Sequence, residues 1–133
     1  MSCLRPILAV GFLLAAVSAS KAQRPGHPAG MYCGGSEVKE MGSLRASGIE
    51  GTAVDPAGEE IPRARGQVQV QGSKKLLVDI WADYHGRFRL LLLQPGTYWL
   101  GVSAGGFNLH IWELKIMRSL SVVKLRAVLS LGT

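Results

Sequence analysis

The side chains capable of acid/base or nucleophilic chemistry are few and do not form a known catalytic pattern. Three histidines stand far apart in the chain: His27, His85 and His110. No serine and aspartate accompany them at a spacing that marks a triad, and triads are defined by geometry rather than by chain order. The carboxylates Glu59, Glu60, Asp79 and Asp83 lie in or beside expected turns, where solvation and amide capping account for them. The sequence therefore predicts no catalytic residue, and an enzyme is held only as a third alternative.

Thiol and metal chemistry are equally limited. The two cysteines are Cys3 and Cys33, and His27 lies near the second of them. One cysteine cannot build a structural zinc site, and the spacing of His27 and Cys33 matches no ligand pattern. We therefore expect no metal and no cofactor. If Cys3 is removed with a leader, Cys33 remains as an unpaired thiol, and pairing with another chain is the second alternative.

The tryptophans give the only sign of a binding surface. Trp99 should point away from Tyr98 and so lie on the outside of its strand. His110 and Trp112 share that exposure if their strand keeps the phase of Phe107. Exposed aromatic rings on a sheet can stack on sugars or anchor a partner protein, so Trp99, His110 and Trp112 are the predicted ligand-binding residues. The alternative is that the N-terminal segment, or packing at a sheet edge, covers these rings.

Residues 1–22 have the three parts of a secretory signal peptide. Arg5 supplies the positive charge, and residues 7–17 form an apolar run that is too short to span a bilayer comfortably. Small residues then allow cleavage after Ala19 or after Ala22. An uncleaved anchor is the weaker alternative, because the run ends in Ser-Ala-Ser. The expected location is secreted or periplasmic, with no membrane span after cleavage.

The rest of the chain divides into two segments. Residues 23–47 are rich in Gly, Pro and Ser and have no apolar period, which predicts a flexible N-terminal arm. Residues 48–133 form the expected domain. The formal charge of the chain is +6, with no basic run longer than Lys74–Lys75. Because nucleic-acid binders concentrate their charge on one face or arm, we expect no nucleic-acid partner.

Alternating apolar residues predict strands separated by short turns in the domain. The clearest unit is a hairpin in residues 83–107, in which Phe88 and Leu90 alternate with Arg87 and Arg89. Seven strands fit into the domain, which predicts an all-β, antiparallel sandwich of two sheets. A phase change within residues 107–117 predicts a bulge or a break near Trp112–Glu113. A helix over residues 114–129 is the alternative for the end of the chain.

Three turns carry their own signatures, two with an Asp and a Gly and one with Pro-Gly. The aspartate can accept hydrogen bonds from backbone amides, proline presets φ, and glycine tolerates the closing geometry. The predicted structural turn residues are Asp55, Gly58, Asp83, Gly86, Pro95 and Gly96.

These turns and the strands beside them resemble the carboxypeptidase regulatory-like domain. The matching segments are residues 51–58, 61–64, 83–90, 93–98 and 104–107, so the likeness extends over roughly residues 48–131. It implies a seven-stranded, Greek-key sandwich of the prealbumin (transthyretin-like) type. Members of this family are mostly non-catalytic accessory modules, many of them in exported bacterial proteins.

Two functions are therefore expected as alternatives. The first is a non-catalytic exported β-sandwich module that mediates protein–protein contact at the cell surface or in the periplasm. The second is a small carbohydrate-binding module that binds a surface glycan through exposed tryptophans. Exposed strand edges in such a sandwich also permit a homodimer.

Overall fold

The structure, a computed structural model, describes Met31 and residues 37–132. The predicted signal peptide, Cys3, His27 and Cys33 lie outside the described residues. The described chain is all-β and contains no helix, so the predicted fold class is confirmed for this part and a helix over residues 114–129 is excluded. Among the same residues, no helix is long and apolar enough to cross a membrane.

Eight strands make up the described fold. They are β1 (Val38–Ala46), β2 (Gly48–Val54), β3 (Arg65–Val70), β4 (Leu76–Trp81), β5 (Arg87–Leu90), β6 (Gly96–Ser103), β7 (Leu109–Ile116) and β8 (Val122–Val128). Seven of them lie where the alternation predicts strands. The eighth, β1, falls in the segment assigned to a flexible arm, so that assignment is wrong for residues 38–46.

β1 was not predicted because the residues of this strand show only a weak apolar alternation. Gly42 adopts a φ of 122°, and the pairing register shifts between Glu40 and Gly42. The strand has no clean apolar period, and it forms because its backbone pairs along the whole length of β7. Tertiary pairing of this kind overrides local propensity.

The strands form two mixed sheets. The large sheet has the order β1-β7-β6-β3-β4, and the small sheet has the order β5-β2-β8. β1 pairs in parallel with β7, and β2 pairs in parallel with β8, whereas the other pairs are antiparallel. The prediction of a wholly antiparallel sandwich is therefore wrong, and β1 is an eighth strand beyond the seven predicted. The hairpin predicted in residues 83–107 is also wrong, because β5 lies in the small sheet and β6 in the large sheet. Parallel partners are remote in the chain, so no hairpin turn reveals them.

One apolar core joins the two sheets in a sandwich-like arrangement. Ile49 and Phe88 of the small sheet and Leu100 and Leu114 of the large sheet belong to the same buried cluster. The ring of Phe88 lies so close to Gly51 that a Cβ there would overlap it. Glycine at this position is therefore required by packing between neighbouring strands.

A second, smaller cluster lies on the outer face of the large sheet. It consists of Met31, Trp99, Leu109 and Ile111. β7 is thus buried on both faces, since Leu114 belongs to the main core. This two-sided burial explains the phase change in the sequence. β6 and β7 pair without a shift, so the predicted bulge in β7 near Trp112 is wrong, and the irregularity lies in β1 beside it.

Candidate binding surface

The three predicted ligand-binding residues do not form an exposed surface. Trp99 does point away from Tyr98, but it is only 8% exposed because Met31, Leu109 and Ile111 pack around it. Trp112 is 6% exposed and belongs to the main core. The two rings lie on opposite faces of the large sheet, because Trp99 is paired with Glu113 rather than with Trp112. The prediction that these tryptophans are exposed is therefore wrong.

His110 is also buried, at 4% exposure, and its contacts are structural. The Ser130 amide donates a hydrogen bond of 2.9 Å to His110 Nε2, and Nδ1 lies 3.2 Å from the Met41 sulfur. The side chain of Asn108 donates to Ser130 Oγ at 2.9 Å. These hydrogen bonds connect Ser130, just after the end of β8, to the start of β7.

The proximity of His110 and Ser130 does not create an activated nucleophile. Nε2 lies 3.2 Å from Ser130 Oγ, but its lone pair already accepts the Ser130 amide proton. A general base needs that lone pair free for the proton it removes. Burial favours the neutral ring and lowers the pKa of His110, and repulsion from Lys39 lowers it further.

Two of the predicted turns are built by aspartate carboxylates. Asp55 Oδ1 accepts hydrogen bonds of 2.9 Å from the amides of Ala57 and Glu59. Asp83 Oδ1 accepts from the amides of His85 and Arg87, at 2.8 and 2.9 Å. These bonds, chiefly the one from Arg87, hold the pKa of Asp83 below its usual value. Both carboxylates are therefore occupied in shaping backbone.

The remaining predicted turn residues are two glycines with positive φ and the Pro-Gly pair before β6. Gly58 and Gly86 have φ values of 90° and 73°, a region that favours glycine. Pro95 precedes β6, and Gly96 is its first residue. Among the described residues, no group of three His, Cys, Asp or Glu side chains could hold a metal ion.

A surface that the sequence did not predict lies on the outer side of the small sheet. Glu50 of β2 stands between Arg89 of β5 and Lys124 of β8, and one step along the sheet Thr52 stands between Arg87 and Arg126. The four cationic side chains are all exposed. We call these six residues the cationic face: Glu50, Thr52, Arg87, Arg89, Lys124 and Arg126.

Two carboxylates offset part of the charge of this face: Glu50, which belongs to it, and Asp83, whose charge is attracted to that of Arg87. Arg89 lies 3.6 Å from Glu50, and no other described carboxylate lies within ion-pairing distance of the face's cations. Residues 37–132 contain 12 basic and 9 acidic side chains. Four of the basic side chains and one acidic side chain are on this face, so it accounts for the entire positive surplus of the described residues.

The spacing of the face follows from sheet geometry. Strands lie about 4.8 Å apart and alternate residues about 6.8 Å apart, so the Cα atoms of the four basic residues lie at the corners of a rectangle of about 10 by 7 Å. These separations are about one Debye length at physiological salt, so the cations act on a ligand together. Four cations are thus concentrated on one face although no basic run in the sequence is longer than two residues.

The sequence alone indicates each of the two pairs of cations but not that the pairs lie together. Arg87 and Arg89 are two residues apart, as are Lys124 and Arg126, and such spacing places each pair on one face of its strand. What was missing was the strand order. β5 and β8 are remote in the chain, and only their pairing on the two sides of β2 brings the four cations together.

A cleft of about 1240 Å³ runs over this surface. Its lining includes the cationic face together with Arg63, Trp81 and Asp83. Trp81, at 55% exposure, is the exposed tryptophan of the described residues. The guanidinium carbons of Arg63 and Arg65 lie 5.6 and 5.0 Å from its ring centre, so cation–π contacts hold the ring.

The side chain of Arg65 is held by Asp79 of the neighbouring strand, β4. Its Nε and Nη2 donate to the two oxygens of Asp79, each at 2.8 Å, and this hydrogen bonding lowers the pKa of Asp79. Bidentate pairing of this kind fixes the plane of the guanidinium group. The Trp81 side of the cleft is therefore more ordered than an isolated surface tryptophan would be.

Aliphatic side chains border one end of the cationic face. Gly48 pairs with Val122, and a Cβ on Gly48 would lie 3.2 Å from the Leu91 side chain. Leu92 and Leu120 are in the adjoining loops, and Leu92 is 95% exposed. We call this group the aliphatic rim: Leu91, Leu92, Leu120 and Val122, all of which are exposed.

Comparison with known proteins adds no family to these observations. No family model matches the chain, and no curated protein is a significant match. What the chain can do must therefore be inferred from its residues and their geometry.

Proposed function

We propose that this protein is a non-catalytic module that acts outside the cytoplasm and binds an anionic partner through the cationic face. We further propose that it is a carboxypeptidase regulatory-like domain with the Greek-key topology of prealbumin, on the strength of the turn and strand motifs in residues 48–131. The apolar leader supports export. The proposed location is secreted or periplasmic.

The observation that carries the proposal is the concentration of charge on one side of one sheet. Four exposed cations surround Thr52 and a single carboxylate, Glu50. A surface of like charges repels itself, and an anionic ligand relieves that repulsion while gaining attraction to several cations at once. Three of the four side chains are arginines, whose planar groups suit carboxylate, phosphate and sulfate.

This proposal assigns the expected partner contact to the cationic face. A protein partner would have to present an acidic surface to residues 87–89 and 124–126. The second expected function, sugar binding by Trp99, His110 and Trp112, loses its surface because all three are buried. Trp81 is exposed, but a single ring held by two arginines does not favour a neutral glycan over an anionic ligand.

Retention on immobilised dextran sulfate tests this proposal. The double variant Lys124→Gln/Arg126→Gln removes two charges from the face. Its matched control is Lys74→Gln/Lys75→Gln, which removes two exposed charges from the turn before β4. Net charge is identical in the two variants, so a general ion-exchange effect would move both equally.

We expect the face variant to elute at clearly lower salt than the control, because it loses two of four cooperating cations. All three proteins should keep the same thermal midpoint, which excludes misfolding as the cause. Equal elution of the two variants would overturn the proposal.

A further inference from the structure

We propose that the anionic partner is a lipid bilayer surface, with the cationic face on the headgroups and the aliphatic rim at the acyl boundary. This inference rests on the proposed function, since it requires that the cationic face be the binding surface. It adds the class of partner and a second set of contact residues.

The first observation is that charge and apolar surface adjoin on one face. Along the outer side of the small sheet, the row of Leu91, Gly48 and Val122 comes directly before the row of Arg89, Glu50 and Lys124. Rows on one face of a sheet are about 6.8 Å apart. A surface that places aliphatic side chains one row from cations matches the boundary between headgroups and hydrocarbon.

The second observation is the exposure of the rim. Leu92 is 95% exposed and lies in the loop between β5 and β6, next to the exposed Leu91. Leu120 lies in the loop between β7 and β8, next to the exposed Val122. Neither an acidic polysaccharide nor a polyphosphate would bury these side chains, whereas a bilayer would. The rim therefore distinguishes a lipid surface from a purely polar polyanion.

The third observation concerns the acidic side chains that could approach the face. Residues 1–36 contain no aspartate or glutamate, so no acidic side chain from the undescribed N-terminal segment can cover the cations. A second copy carries the same positive surplus and would repel the first across this face. An anionic partner of a different kind therefore fits this balance of charge better than a second copy does.

Flotation with vesicles tests the inference on the full chain. The probes are vesicles of phosphatidylcholine alone and vesicles of equal parts phosphatidylcholine and phosphatidylglycerol. Each face cation should contribute about fivefold to partitioning into anionic vesicles. Lys124→Gln/Arg126→Gln should therefore lower partitioning about 25-fold, while Lys74→Gln/Lys75→Gln should lower it far less.

The rim variant Leu91→Ser/Leu92→Ser separates lipid binding from general anion binding. It should lose about tenfold or more of its partitioning, because two exposed leucines no longer enter the acyl boundary, and should elute from dextran sulfate as the unaltered protein does. Thermal unfolding of each variant provides the check on folding.

The outcomes distinguish the two proposals. Face-dependent retention on dextran sulfate without vesicle binding would overturn the lipid inference and leave anion binding intact, with an acidic protein as the partner class. Vesicle binding that is unaffected by the rim variant would also overturn it. Loss of face dependence in both assays would overturn the proposed function itself.

Discussion

Arg89 is joined to Glu50 across β5 and β2, with the arginine Nη2 3.6 Å from the glutamate Oε2. This pair holds the only carboxylate of the cationic face. Its side chains are exposed by more than a third, so solvent screens the attraction and the pair contributes less than about 1 kcal/mol to stability. Its consequence is electrostatic: Glu50 lowers the charge that the face presents to a ligand.

Replacing this carboxylate should strengthen binding. Glu50→Gln adds one unit of positive charge to the face and should raise affinity for dextran sulfate and for anionic vesicles about fivefold. Glu40→Gln, on β1 of the other sheet, changes net charge equally and serves as the control. If the two variants gain equally in a salt-dependent binding titration, the face has no special part in binding.

Gly51 should not tolerate a side chain. A methyl group there would overlap the ring of Phe88, so Gly51→Ala should lower the free energy of unfolding by about 1–3 kcal/mol. Gly105→Ala, where a Cβ meets nothing within 4 Å, should change it by less than about 0.5 kcal/mol. Urea unfolding measures both variants. Because Phe88→Leu shortens the ring side chain, the loss in Gly51→Ala/Phe88→Leu should be smaller than the sum of the single losses.

Lowering the pH should reduce the free energy of unfolding, because His110 becomes protonated. Burial holds its pKa below 6.5, so in acid the unfolded chain binds a proton that the folded protein resists. The contribution is fully present above 6.5 and is lost as pH falls towards the folded-state pKa. The slope is at most about 1.4 kcal/mol per pH unit.

Thermal unfolding of His110→Gln checks this effect. Glutamine can accept the Ser130 amide hydrogen bond but does not titrate, so the slope below pH 6.5 should shrink. His85, with a side chain 66% exposed, provides the control variant His85→Gln. An unchanged slope in His110→Gln would mean that His110 is not the titrating group.

Tryptophan emission should report one exposed ring and two buried rings. Trp81 is exposed, whereas Trp99 and Trp112 are buried. Trp81→Phe should therefore remove most of the emission that acrylamide can quench, and neutral oligosaccharides should leave the emission of the unaltered protein unchanged. Saturable quenching by such a sugar, lost in Trp99→Ala when that variant is folded, would restore the carbohydrate-binding alternative.

The strands were largely predictable from sequence because their periods are strong. Phe88 and Leu90 are buried while Arg87 and Arg89 are exposed, as their alternation predicts. β1 was not predictable, because its stability lies in pairing with β7 rather than in its own residues. The phase of β7 was misread for a related reason, since a strand buried on both faces has no single apolar phase.

The candidate site was harder to predict than the fold. The outward orientation of Trp99 followed from strand alternation, but its burial depends on Met31, a residue in a segment with no apolar period. The cationic face depends on the order β5-β2-β8, which includes a parallel pair between strands remote in the chain. Residue spacing gives the face of one strand and does not give its neighbours.

The most direct measurement is an amide NMR titration of the full chain with dextran sulfate. Binding through the cationic face predicts that the largest shift changes fall in residues 87–89 and 124–126, with Glu50 and Thr52 between them, and that added salt reverses them. Changes centred on Lys74 and Lys75, or spread evenly over the basic residues of both sheets, would contradict the account.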